Sequence, residues 1–390
     1  MERRLARLVI AACASAAALG CQNLIGADFD SARAAPAAAT TDGGSCQLAD
    51  PPARPSDLPK AADSVDFTVV INQLDFGDDT PDAGVTGLVG YDQDHLCTTE
   101  SGPPSCKQYS WLPQRPTVDG PGGRDDGVGV LFKEQRSVLP GGSLIGSAEE
   151  NAGIASGATA PPGVLRIRGF SGLGSDDKVV VEFFQAAAFD DVPQPGASGD
   201  GGGARPHFDG SDQWPLVRAT LAPSDGGDLV ETTQRDDAAF VIEGTLVAHF
   251  DELRLPMHNV YLDVSKVVLT AHLTFDKKAG WTLRDGTMAS RLETKSLLAF
   301  APLATVSAVN VALCKNDALN YAFVKKILCE SADLPAIDGD PNSACAYTSL
   351  GMGFQTSPAS LGRVVDVAQP VDPCPPDADP AMDTCEVENQ

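Results

Sequence analysis

Four aspartates in one short stretch offer the sharpest chemistry in this chain. Asp92-Gln93-Asp94 is followed by Asp119-Gly120-Pro121-Gly122-Gly123-Arg124-Asp125-Asp126. Calcium takes ~6–8 oxygens from carboxylates, carbonyls and water, and aspartates at alternate positions of a Gly-rich loop can converge on one ion. Asp92, Asp94, Asp119 and Asp125 are therefore the candidate metal ligands, with calcium the candidate cofactor. The spacing is not that of an EF-hand, because the glutamate that closes that loop is absent. In a chain with 53 acidic and 28 basic residues, solvated turn aspartates are the commoner reading. Two further acidic groups, Asp75/Asp78/Asp79/Asp82 and Asp338-Gly339-Asp340-Pro341-Asn342, share that reading.

Other constellations are weaker. Gly169-Phe170-Ser171-Gly172-Leu173 approaches the Gly-x-Ser-x-Gly elbow of serine hydrolases, but the last glycine is out of place and the segment falls between two expected strands. It reads as a hairpin loop. The five histidines form no HExxH pair, and His249 and His272 would meet only if their strands are neighbours. Tyr109, Trp111 and Trp214 stand near carboxylates, the pairing that sugar-binding β domains use, although core packing is commoner for such rings. No catalytic residue is assigned. A non-catalytic binding or structural domain is the expected function. A calcium-dependent carbohydrate-binding module and a hydrolase with a dispersed site are the alternatives.

The start of the chain gives an address. Arg3, Arg4 and Arg7 precede an uncharged run from Leu8 to Leu19. That run is too short to span a bilayer, which needs ~20 residues, and has the layout of a removable secretory signal. It ends in Ala18-Leu19-Gly20-Cys21. This stretch, residues 1–21, resembles the lipobox of bacterial lipoproteins. The resemblance implies that Cys21 is acylated and becomes the first residue of the mature protein, tethered to a membrane of the cell envelope. Gln22 in place of Asp implies the outer membrane. Cys13 after Ile10-Ala11-Ala12 is a competing position with a shorter apolar core, and a secreted chain without lipid is the plain alternative.

Removal of residues 1–20 takes away three Arg and one Glu, leaving a net charge of −27. Such a charge repels phosphate backbones, so nucleic acid is excluded as a partner. Membrane contact is expected through the lipid, and a glycan or protein is the expected further partner. Eight cysteines then remain, and an even count in an exported chain reads as disulfides. Connectivity is open. Short loops favour Cys97–Cys106, Cys374–Cys385 and Cys314–Cys329, and the absence of any CxxC argues against zinc.

The elements that must position these residues are mostly strands. Residues 21–62 are poor in large apolar side chains and read as a tether. Alternation of apolar residues marks strands at Asp66–Phe76, Gly87–Tyr91, Gly163–Phe170, Lys178–Gln185, Phe240–Ile242, Gly244–Phe250, Val260–Val264, Val267–Phe275, Gly280–Leu283 and Tyr347–Phe354. Val128–Phe132 fits either a helix or a strand. Ser290–Leu303 and Asn316–Glu330 have helical spacing. The expected fold is mainly β: an antiparallel sandwich or jelly roll over 63–290, a helical, disulfide-bearing segment over 291–365, and an irregular acidic tail over 366–390.

Overall fold

Long, alternating strands dominate the computed structural model, which describes residues 48–386 apart from 59–63, 79–87, 100–101, 103, 114–116, 139–145, 190–204, 223–229, 258–259, 310–311 and 369–370. The expected signal, Cys21, the first part of the tether and Cys46 lie outside the described residues, as do Asp79 and Asp82.

The strands are β1 (Val65–Asp75), β2 (Val164–Phe170), β3 (Asp176–Phe184), β4 (Gln213–Val217), β5 (Arg235–Ile242), β6 (Thr245–Met257), β7 (Val260–Asp276), β8 (Gly280–Glu293), β9 (Leu334–Pro335), β10 (Cys345–Pro358) and β11 (Ser360–Val365). Four α-helices accompany them among the described residues: α1 (Gly127–Val138), α2 (Ser147–Ser156), α3 (Thr294–Val309) and α4 (Ala318–Glu330). The mainly-β, antiparallel reading with a helical segment near the C-terminus stands.

Nine strands form one sheet in the order β1-β2-β3-β5-β6-β7-β8-β10-β9, and β1 also pairs with β10. In place of two large facing sheets, eight strands thus close on themselves, every pairing in the ring antiparallel. The closing strand, β10, comes from beyond residue 290. Closure leaves no long unpaired edge. On β7, Leu262, Val264, Val267, Leu269 and Ala271 are buried, while Asp263, Lys266 and His272 face solvent. Apolar inside and charged outside is the reverse of a lipid-facing barrel. Among the described residues, no helix is long and apolar enough to cross a membrane.

Lys266 explains why two expected strands are one. Its φ of 50° marks a bulge at which the pairing with β8 shifts, between Ser265↔Arg291 and Val268↔Ala289, and the strand continues past it. Large rings fill the interior. Phe183 meets Phe250 edge-on at 6.2 Å, and the Phe354 ring lies over Gly286, where a Cβ would stand 2.3 Å from it. Gly286 is the strand position that this ring requires.

One end of the ring carries short turns: the β2–β3 loop (171–175), the β5–β6 turn at Glu243-Gly244 and the β7–β8 turn (277–279). At the other end β8 runs directly into α3, whose Leu297, Leu298 and Ala301 join the barrel core. Outside the ring, the two-stranded parallel sheet of β4 and β11 covers Val70, Val164 and Phe184 with Trp214 and Leu216.

The disulfides overturn the short-loop pairings. Cys106 bonds Cys345, Cys314 bonds Cys374, and Cys329 bonds Cys385. Cys97 is also disulfide-bonded, but not to Cys106. The physical reason is where the tail runs. It lies back along α4, so Cys374 and Cys385 each meet a partner from a different segment, 60 and 56 residues away, rather than each other. Closing long loops removes more unfolded-state freedom than closing short ones. The pairing Cys329–Cys385 also brings Asp383 to Lys325, which is 1% exposed, with Nζ to Oδ1 at 2.9 Å. Tyr321 Oη donates to the same carboxylate at 2.8 Å.

Candidate metal centre

The segment from Leu88 to Asp126 crosses the outer face of β7, β8 and β10. Outward-facing positions hold it there. Tyr91 Oη meets Thr270 Oγ1 at 2.6 Å, and Arg291 Nη2 donates to Gln93 O at 2.5 Å. Gly351 N donates to Asp126 Oδ1 at 3.0 Å, and Val89 N to Asp126 Oδ2 at 3.3 Å. Asp126 also accepts from Gly129 N at 3.0 Å, where α1 begins. It is fully engaged with backbone donors and serves to pin the strap to β10.

Three of the four predicted ligands come together. Asp92, Asp94 and Asp125 are all buried, and each offers an oxygen within 4.8 Å of the others. That is the span across a calcium ion ligated at ~2.4 Å on either side. Local turns aim them. Asp92 Oδ1 accepts from Asp94 N at 3.2 Å and His95 N at 2.6 Å, and Asp94 Oδ1 accepts from Leu96 N at 2.8 Å. Asp125 Oδ2 accepts from Gln93 N at 2.6 Å, which ties the two halves of the strap together. These bonds use one oxygen each of Asp92 and Asp94. Asp92 Oδ2 and Asp94 Oδ2 are buried with no hydrogen-bond partner. Nε2 and Oε1 of the flanking Gln93 side chain are likewise buried with no hydrogen-bond partner. Buried carboxylate oxygens without a donor are costly, so their presence points to a cation as the missing partner.

Asp119 is not in that three-carboxylate group. Its Oδ2 accepts from Thr98 N at 2.5 Å, and it acts on the centre through charge. A fifth carboxylate, Asp333, was not expected. It lies between α4 and β9, 4% exposed, where Ser349 N donates to Oδ1 at 2.7 Å and Ser349 Oγ to Oδ2. The Ser105 hydroxyl donates to Asp333 O at 2.6 Å.

The electrostatics follow from burial and crowding. Burial, with the charge of Asp94 added, pushes Asp92 up to about 6. Burial and then the charges of Asp94, Asp333 and Asp92 push Asp119 up to about 8. Asp333 rises to about 7, again through burial first. Asp94 is raised by burial, and Asp125 is raised well above the usual range by burial and then by Asp333, Asp94 and Asp119. Arg291 is the nearby fixed cation that favours the Asp94 charge, but its Nη1 is also paired with Asp338. Among the described residues, Arg291, shared with Asp338, and Arg124, which precedes Asp125 and donates to Pro121 O, do not balance five acidic groups. A divalent cation would reverse this local logic, stabilising every carboxylate in its charged form.

Gly123 closes the site. At φ 72° it takes a conformation glycine favours, and a Cβ there would stand 2.9 Å from Cys97 Sγ and 3.4 Å from Asp92 Oδ2.

The other candidates do not assemble. His249 pairs with Val268 and His272 with Thr245, so the two imidazoles sit four ladder positions apart on neighbouring strands. Ser171 lies in the β2–β3 loop, its backbone N–H donating to Asp176 Oδ2 at 2.8 Å. Trp214 is fully buried under the small sheet, and Trp111 Nε1 donates to Cys385 O at 2.8 Å. Asp338 is occupied by Lys266 and Arg291, and Asp340 closes a turn on Asn342 N at 3.0 Å. Neither a family model, nor a curated protein, nor a solved structure matches this chain.

Proposed function

We propose that this chain is an exported, non-catalytic barrel, held to the outer membrane through acyl chains on Cys21, that binds calcium at Asp92, Asp94 and Asp125. The observation that carries the metal reading is the convergence of three buried carboxylates, two of them with an unpartnered oxygen. Calcium suits an all-oxygen donor set, whereas zinc and copper favour nitrogen and sulfur. Asp119 and Asp333 supply negative potential around the ion and can bind it through water. The ion's role is to clamp the strap to the barrel wall, because its ligands come from both ends of the strap. The anchor rests on the sequence of residues 1–21 alone, and the disulfides suit an oxidising compartment. Several acyl chains make the tether durable, since one chain holds only marginally.

Native mass spectrometry of the membrane-extracted protein in calcium tests both parts. The expected mass is that of a chain beginning at Cys21, plus acyl groups, plus one calcium ion. An unacylated start would remove the anchor. A chain that takes up no ion in millimolar calcium would remove the metal role.

A further inference from the structure

Among the described residues, the turn-bearing end of the barrel is lined with aromatic rings. Phe275 and Trp281 are directly paired across β7 and β8, and on β7 Phe275 follows the inward series Leu269, Ala271 and Leu273. Their ring centroids are 5.2 Å apart. Trp281 also meets Phe170 at 5.0 Å and Phe67 at 6.4 Å. Four rings from four strands therefore meet at one mouth. Three of the large apolar side chains exposed among the described residues are here too: Phe275 at 61%, Leu173 at 57% and Val65 at 37%. The opposite end has no such mouth, because α3 packs into the core there.

The rim has a charge of its own. Lys277 and Lys278 form the tip of the β7–β8 turn, both exposed, between Phe275 and Trp281. Asp276 in the same turn stays ionised, held below the ordinary carboxylate range by Ala279 N at 2.9 Å and Lys278 N at 2.7 Å, so the two lysines leave the tip with one net positive charge. Asp66, a further carboxylate near the ring cluster, lies 4.0 Å from Arg168 and accepts from Gly169 N. In a chain with a net charge of −25, a paired-lysine tip over an aromatic mouth is a local exception.

We infer that this mouth binds one anionic amphiphile of the fatty-acid type. Its alkyl chain lies on Phe275, Trp281 and Leu173, and its carboxylate meets Lys277 and Lys278. Each methylene buried tightens binding roughly fourfold, so several methylenes over the rings suffice for micromolar to millimolar binding. The lysine stems can lie along the chain while their ammonium groups reach its head. A membrane surface is the less favoured occupant, since the lysines stand at the hairpin tip and the rings behind them, where a bilayer would meet charge first.

The test is a calorimetric titration of the chain from Ala39 onward, a compact unit that holds the whole barrel and no acyl group. The probe is laurate, kept below its micelle concentration, in EDTA. EDTA makes the outcome independent of the calcium reading. The expected result is saturable binding of one laurate per chain. The Leu173→Ser/Phe275→Ser variant should bind at least tenfold more weakly. Lys277→Glu/Lys278→Glu should weaken laurate by about tenfold and strengthen dodecyltrimethylammonium. All four side chains are exposed, so the variants should melt with the parent. Absence of saturable heat would overturn the inference, as would laurate binding that ignores the Leu173→Ser/Phe275→Ser change. Binding to phosphatidylglycerol vesicles without binding to monomeric laurate would also overturn it, in favour of a membrane-docking face.

Discussion

Asp125→Asn separates a metal ligand from a structural aspartate, because the two roles predict opposite signs in EDTA. Asp125 is 2% exposed and lies among Asp92, Asp94, Asp119 and Asp333. Without an ion it must carry either a proton or a charge that its neighbours oppose. Holding a proton costs ~1.4 kcal/mol for each pH unit above the unfolded-state value. Asparagine removes that cost, and its carbonyl can still accept from Gln93 N. In EDTA at pH 7.5 the variant should therefore be more stable than the parent by at least ~1 kcal/mol. Calcium should reverse the order. At ~2 mM ion and a dissociation constant of ~0.1 mM, typical of the tighter extracellular sites, the parent gains ~1.8 kcal/mol. At ~2.1 cal/mol/K per residue, a folded unit of about 340 residues moves ~1.4 °C for each kcal/mol. The parent should rise by roughly 2–3 °C on adding calcium, and the variant by well under one.

Scanning calorimetry reads both numbers, and pH adds a third. Asp92, Asp333 and Asp119 have folded values of about 6, 7 and 8, each above the ordinary carboxylate range. A raised folded pKa means that the native state binds more protons than the unfolded one. The contribution of these groups is fully present below pH ~4 and is lost as pH rises through the folded values. In EDTA the melting temperature should thus decline from pH 5 to pH 8, and calcium should flatten the decline because it replaces the protons. The reasoning is refuted if Asp125→Asn destabilises equally with and without calcium, or if calcium leaves the parent's transition in place at pH 7.5.

Two further outcomes test the packing. Gly286→Ala places a methyl group 2.3 Å from the Phe354 ring and should lower stability by ~1–3 kcal/mol in urea unfolding, with Phe354→Leu as a second change that relieves most of it. Lys325→Met leaves the Asp383 carboxylate and the Tyr321 hydroxyl without their cation. Burial pushes Asp383 up, but Lys325, the Thr384 amide and Tyr321 together hold it below its ordinary value, so losing the lysine should cost ~3 kcal/mol above pH 5 and less as pH falls below 4.

Much of the barrel is legible from alternation alone, because a strand with one face in a core and one in water writes its period directly into the sequence. Val267, Leu269, Ala271 and Leu273 against Val268, Thr270, His272 and Thr274 is such a record. What alternation does not carry is closure. Nothing local in Val69 or Pro358 says that β1 pairs with β10. The bulge at Lys266 hides the continuity of β7 for the same reason: it breaks the period where the strand does not end. β4 and β11 escaped because each is short and gains its order from the other, about 150 residues away in sequence. The disulfides failed on the same ground, since loop length favours near neighbours only when no fold intervenes.

The candidate centre divides along that line. Asp92 and Asp94 are two residues apart, and the Gln93 backbone N–H links them to Asp125 at the far end of the same strap. Asp333 has no neighbour in sequence to announce it. It arrives from between α4 and β9 because Ser349 on β10 holds both its oxygens. A reading confined to the strap therefore finds the ligands and misses the group that sets the charge around them. Without Asp333, the strap is an acidic loop that could shed protons or ions freely. With it, the strap's carboxylates face a buried anion fixed to the barrel wall, and a cation bound between them resists the opening of the strap as well as the loss of charge. On the proposed reading, calcium affinity and strap stability in calcium are one quantity, and Asp333→Asn should lower both together in calcium while raising stability in EDTA, as Asp125→Asn does.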